Sequence, residues 1–317
     1  MDMTLRCLAE RQGGAFSRRQ AFECGYSPDQ VKHLLRTREW LRLRTGVYTE
    51  AKTYLGLDEV ARYLVRIHAA ALVLRRSAVL SHTSAAALHG FALWDCDLSV
   101  VHFARTRRGG SRREAGIDHH RAHLPPEHVQ ERDGLLVTVP ARSVVDTATI
   151  CSFESAVVLA DSALHAGEVT HASLEAALAA VRGSPGSHKV GRVIAFADGL
   201  AESPGESRCR VLFKTQNLPT PELQVPIFDA AGVLVGRVDF LFREQRTIVE
   251  FDGQMKYGLG PGSPVDDLFA EKVREDKLRE LGYEIVRITW ADLADPVRTV
   301  ARIRAAFARA RRRRAYR

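Results

Sequence analysis

Three acids stand where acids are rare. Asp239 lies inside the β-rich run VGRVDFLF, and Glu250 and Asp252 close the run TIVEFDG; carboxylates are depleted in such strands because a pleated, half-buried surface solvates them poorly. Strand alternation puts Glu250 and Asp252 on one face, and Asp239, on the preceding antiparallel strand, can lie across from them. Three like charges gathered there repel, so a cation between them is expected. Carboxylate oxygens suit Mg²⁺ or Mn²⁺. Lys256, just past the strand, and Lys272, one turn before Asp276 on the next helix, are candidate cations as well. The lesser alternative is a plain ion-pair network in which Lys256, Lys272 and Arg274 neutralise the acids.

A second set of residues points to nucleic acid. In FSRRQAFECGYSPDQVKHLLR a helix is expected after Ser17, with Ala21 and Phe22 inward. A turn follows at Gly25, and Ser27 opens a second helix as N-cap with Pro28 in its first position. This is helix-turn-helix spacing. Val31, Leu34 and Leu35 face a core at helical intervals, which leaves Gln30, Lys32, His33 and Arg36 to present amide and cationic groups to base edges and phosphates. WLRLRTGVYTE then reads as a hairpin wing carrying Arg42 and Arg44. At the other end of the chain, the last seventeen residues hold eight arginines, Arg311, Arg312, Arg313 and Arg314 among them, and no acid. Because the whole chain carries +8, its basic excess sits in that tail, where clustered guanidinium groups would condense on a polyanion.

The elements that must hold these groups divide the chain into three: 1–52, a winged helix-turn-helix; 53–200, a mixed α/β middle region; and 201–317, the acidic sheet with the basic terminal helix. The last part reads as helix, three-stranded meander, helix, strand, helix, a mixed sheet flanked by helices. The fold class is therefore α/β, in a multi-domain (α+β) chain. In the middle region the turn-rich stretch around His119, His120, His123 and His128 is expected to be a hairpin or loop. Those histidines lack the i, i+4 spacing of a metal pair and are expected to be exposed or packing residues. Ser81 is expected to cap the helix SHTSAAALH rather than to act as a nucleophile.

At 317 residues and 45% hydrophobic the chain can bury real cores, which excludes a disordered or fibrous protein. No apolar stretch is long enough for a membrane span, and MDMTLRCLAERQGG lacks the apolar segment of a signal peptide, so a soluble, cytoplasmic protein with no membrane association is expected. Five cysteines, at least 17 residues apart, form neither a disulfide framework nor a C-x-x-C pair.

The run from Glu202 to Trp290 resembles the PD-(D/E)XK nuclease fold in its very-short-patch-repair-like branch of unknown function. The likeness rests on Glu202, Ser203, Glu206, Ser207 and Arg210, on Asp239, on Glu250, Asp252 and Gly253, and on Arg274, Asp276, Gly282 and Arg287. The first 50 residues, with LSHTSAAALHG and DGLLVTVPARSVVD, resemble the AbiEi-type antitoxins of type IV toxin–antitoxin systems. The resemblance implies a DNA-binding protein with a Mg²⁺- or Mn²⁺-dependent endonuclease domain. Asp239 and Glu250 would hold the ion, Asp252 would assist, Glu206 would orient the ion or the attacking water, and Lys256 or Lys272 would stabilise the transition state. The runner-up is a non-catalytic DNA-binding regulator or antitoxin that keeps the nuclease fold as a scaffold, with DNA and a cognate toxin protein as partners. The chain departs from the family pattern at Asp252, which stands where acid-x-Lys would place the lysine.

Overall fold

A computed structural model of the chain describes residues 1–74, 78–105, 112–253 and 264–315. They form two compact units: Met1–Leu159 with Gly167–Phe196, and Ala160–Ala166 with Ala197–Arg317. The residues expected as two N-terminal parts therefore share one unit. The seven residues 160–166 join the other.

The first unit begins with the winged-helix arrangement. Helix α1 (Met3–Arg11) is followed by β1 (Phe16–Ser17), α2 (Arg18–Glu23), α3 (Pro28–Arg36), β2 (Trp40–Arg44) and β3 (Val47–Glu50), with the strands ordered β1-β3-β2. Ser17 and Ser27 each open a helix through a reciprocal capping box, with Gln20 and Gln30 as the returning side chains. Leu5, Phe16, Ala21, Val31, Trp40 and Tyr48 pack as one core, Phe16 meeting Trp40 edge-on at 4.7 Å; each large side chain so buried contributes about 1.5–3 kcal/mol. Phe22, expected inward, is 38% exposed. Ala21 takes the core position of this six-residue helix, and the Phe22 ring lies instead under the Arg18 guanidinium at 5.3 Å.

Beyond the wing come α4 (Ala51–Leu55), α5 (Glu59–Val73), β4 (Val79–Leu80), α6 (His82–Leu88), β5 (Val101–Arg105), β6 (Arg112–Glu114), β7 (Ile117–Arg121), β8 (Val129–Arg132) and β9 (Leu135–Thr138). The six strands form one mixed sheet in the order β6-β7-β5-β4-β9-β8. Of the hairpin or loop expected around His119 and His120, the hairpin forms: β6 and β7 pair antiparallel, and Ile117–Arg121 is its second strand. Ile117 and His119 are buried and alternate with the half-buried Asp118 and His120, a two-residue period that the run of polar side chains disguises. Helices α7 (Pro140–Ile150), α8 (Phe153–His165), α9 (His171–Ala180) and α10 (Ser187–Phe196) complete this part of the chain, with α8 contributing to both units.

In the second unit α11 (Pro204–Thr215) precedes β10 (Glu222–Phe228), β11 (Leu234–Phe242) and β12 (Thr247–Asp252). Then come α12 (Pro264–Glu280), β13 (Glu284–Thr289), α13 (Trp290–Leu293) and α14 (Pro296–Ala315). The sheet runs β10-β11-β12-β13, antiparallel until β13, which returns through α12 to lie parallel to β12. This is the expected mixed sheet with helices on its faces. Phe240, Phe242, Val249 and Ile288 pack with Phe213 and Ile303, while Leu241 and Ile248 pack with Leu278. Gly282, at φ +88°, ends α12 in the left-handed conformation that lets the chain turn straight into β13. Among the described residues no helix is long and apolar enough to cross a membrane.

Candidate functional site

The acids of the second unit meet where two strands part. The β11–β12 ladder runs from Phe242↔Thr247 to Phe240↔Val249. One residue further, the Asp239 Oδ2 accepts the Phe251 N–H at 2.8 Å. Burial pushes the Asp239 carboxyl up to about 6, and the nearby Glu206 and Glu250 charges add to the rise against Phe251 and Arg274. Glu206, only 8% exposed, enters from the first turn of α11. Its Oε1 accepts from Ser203 Oγ at 2.7 Å, and its Oε2 accepts from Glu202 N at 3.0 Å and Gln224 Nε2 at 2.8 Å. Glu206 and Glu250 are therefore both near enough to Asp239 to act on its charge.

The cation that meets them is arginine. Arg274, from α12, donates to Glu250 Oε1 and to the Arg237 carbonyl, and Arg287 lies 4.0 Å from Glu250 Oε2 while also pairing with Glu271 and Glu275. Burial raises the Glu250 carboxyl and the two guanidinium groups oppose that rise. Lys272 is exposed on α12 and makes no ion pair with these acids, and Lys256 lies outside the described residues. Asp252 is half-buried at the end of β12, opposite Thr289 of β13. Among the described residues, three ligand atoms come within 4.8 Å of one another at His102, Asp118 and His120, not at Asp239, Glu250 and Asp252. In this arrangement Glu206 is hydrogen-bonded by the chain, Glu250 is paired with arginine, and one Asp239 oxygen takes a backbone amide.

Two glycines make this arrangement possible, and neither was recognised from the sequence. A Cβ on Gly236 would sit 2.5 Å from Arg274 Nε, so the missing side chain is the room through which Arg274 crosses β11 to reach Glu250. At Gly205 a Cβ would lie 1.9 Å from the Phe251 ring. Gly205→Ala should displace that ring and loosen the Phe251–Asp239 bond, costing about 1–3 kcal/mol as an overpacked site does. Urea melts of the two proteins check this, and equal midpoints would contradict the close packing.

On the winged helix, Lys32, His33 and Arg36 are exposed along α3, and Arg42 is exposed on β2. Their own contacts are weak surface ones, Lys32 to Asp29 at 3.6 Å and Arg36 to His33 at 3.2 Å. Gln30 and Arg44 are differently employed. The Gln30 amide oxygen accepts the Ser27 N–H at 2.7 Å, closing the capping box, and Arg44 donates to the Ala115 carbonyl at 2.7 Å. The Ser-x-x-Gln spacing at 27 and 30 was the available signal for the first of these. In the tail, Arg311, Arg312 and Arg314 are exposed, whereas Arg313, with Arg309, pairs with Glu284.

No protein-family profile matches the chain. Two curated proteins from two strains of Mycobacterium tuberculosis, each named only as an uncharacterized protein, are 35% identical to it over 184 residues, 58% of this chain and 66% of theirs. The chain thus spans slightly under two thirds of the curated relatives it matches.

Proposed function

We propose that this protein is a cytoplasmic duplex-DNA-binding regulator of the AbiEi antitoxin type, acting with a cognate toxin, and that its C-terminal sheet keeps a nuclease-type scaffold whose acids are neutralised by arginine. The observation that carries the DNA reading is the exposed cationic set Lys32, Arg36 and Arg42 on a helix and strand built on the winged-helix plan. A recognition helix needs its cations unburied, and these are. The reading without cleavage draws its support from Arg274, whose guanidinium donates to Glu250 Oε1 and meets that acid with a fixed cation. The direct test is a duplex-DNA titration at several salt concentrations; affinity no greater than that of a neutral protein would remove the proposal.

A second reading, a Mg²⁺- or Mn²⁺-dependent endonuclease, draws support from the crowding of Glu206 and Glu250 about Asp239, whose carboxyl is raised to about 6, at one strand junction. Incubation of supercoiled plasmid with the full chain and either ion separates the two. The regulator reading expects the plasmid to stay intact. Nicking that disappears in both Asp239→Ala and Glu250→Ala would replace it with the endonuclease.

The tail contributes through three arginines in this reading. Arg309 and Arg313 hold Glu284, so deleting the segment would also disturb the fold. The cleaner variant is Arg311→Ala/Arg312→Ala/Arg314→Ala. It should weaken binding to all duplex sequences equally and reduce the log–log salt slope by about 0.9 for each phosphate the tail no longer neutralises. An unchanged slope would make the tail a solvated helix end.

A further inference from the structure

The first unit contains a group of side chains that the DNA reading leaves unused. β5 and β7 run parallel with His102 opposite Asp118 and Ala104 opposite His120, so His102, Asp118 and His120 share one face of the sheet. His102 Nδ1 and His120 Nε2 face each other at 2.8 Å, and a carboxylate oxygen of Asp118 completes a set of three ligand atoms lying within 4.8 Å of one another. Over them lies His82, whose ring stacks on that of His120 at 3.7 Å between centroids and on that of His102 at 5.6 Å.

The geometry points to a binding site for one zinc-class divalent transition ion, held by His102 Nδ1, His120 Nε2 and the Asp118 carboxylate. Two imidazoles and one carboxylate are the donor set that leaves a tetrahedral zinc ion one open position. Ligands about 2.0–2.1 Å from such an ion stand about 3.3 Å apart, so the two rings would need to separate by only about half an ångström. Imidazole nitrogen favours zinc, copper or nickel over Mg²⁺ or Ca²⁺, which prefer a shell of oxygens.

The surroundings favour the ion further. Burial holds His102 down at about 4 and keeps His82 and His120 below their ordinary range; His120 and His102 push His82 down further, whereas Asp118 opposes the shift of His120. The Asp118 carboxylate has no hydrogen bond or ion pair to a side chain among the described residues. The strand carrying His102 is fixed from behind: its backbone N–H donates to Ser84 Oγ at 2.8 Å, and Ser84 is bonded to the buried Tyr63 hydroxyl at 2.6 Å. His82 reaches its place over His120 at φ +51°, a left-handed conformation that costs a non-glycine residue about 1 kcal/mol or more. Ser81, expected as a helix cap, makes no capping bond and instead holds His82 Nδ1 at 3.0 Å.

The test uses the full chain, stripped with a chelator and then titrated with Co²⁺ as an optical probe and with Zn²⁺ in competition against a chromophoric chelator. The expected result is one Co²⁺ per chain, with visible d–d absorption that Zn²⁺ abolishes and excess Mg²⁺ leaves unchanged. Asp118→Asn and His120→Gln should each weaken Zn²⁺ binding at least about 100-fold, beyond the loss typical of an outer partner, whereas His188→Gln on the exposed face of α10 should not. Far-UV circular dichroism guards against misfolding, and Asp118→Asn changes shape least. A wild-type chain that takes up no stoichiometric Co²⁺ or Zn²⁺, or a folded Asp118→Asn that binds as tightly as wild type, overturns the site.

Discussion

Replacing Lys32, Arg36 and Arg42 together by alanine is expected to weaken duplex-DNA binding about 100-fold near physiological salt and to reduce the log–log salt slope by up to about 2.7, three phosphates at 0.9 each. All three side chains are exposed, and none is used in the core or in a strong ion pair, so the fold should be untouched. The contrast with Gln30 and Arg44 sharpens the experiment. Gln30→Ala removes the returning half of the α3 capping box and should cost about 0.5–2 kcal/mol of stability, and Arg44→Ala removes the bond to the Ala115 carbonyl. Those two variants should lower the melting point more than the DNA affinity, and the triple variant should do the reverse. Gel-shift titrations beside thermal melts give both readings. Undiminished binding by the triple variant would remove the winged-helix interface.

What the sequence made legible was local. Ser27 with Pro28 announces α3, the Trp40–Val47 alternation announces the wing, and the apolar runs around Asp239 and Glu250 announce two neighbouring strands, because caps and two-residue periods are written in consecutive residues. What stayed hidden depends on residues far apart. Nothing in DHHRAH shows that His120 will stand beside His102, since that requires β7 to pair in parallel with β5 after an intervening hairpin. Likewise Arg274 finds Glu250 only because α12 packs over a glycine in β11. The acids are recognisable as a group, but the identity of their counter-charge is settled only by that packing. The Ser-x-x-Gln boxes are a different case: their signal is present in four residues, and the competing reading of Gln30 as a base reader obscures it.

The buried pair Asp161–Arg210 shows the same long-range dependence at greater energetic cost. Asp161 is fully buried in α8, Arg210 of α11 is nearly so, and the guanidinium Nη1 donates to Asp161 Oδ2 while the Asp198 N–H donates to Oδ1 at 2.8 Å. Both belong to the second unit, which holds residues 160–166 through this contact among others. Burial raises the Asp161 carboxyl although Arg210 and Asp198 oppose the rise, so desolvation is the larger influence. Such a pair adds little net stability, but removing one partner strands the other charge out of water. Asp161→Ala should therefore destabilise the second unit by about 3–5 kcal/mol, well above the ~1 kcal/mol of an average substitution. Asp161→Ala/Arg210→Met should recover much of that loss, because the second change removes the stranded guanidinium and refills its volume with apolar atoms. Native-state hydrogen exchange of a peptide spanning residues 204–215 reads the stability of α11 directly. A single variant that exchanges within ~1 kcal/mol of wild type would show that water reaches Arg210, and a double variant no better than the single would show that the pair itself, rather than the stranded charge, carries the energy.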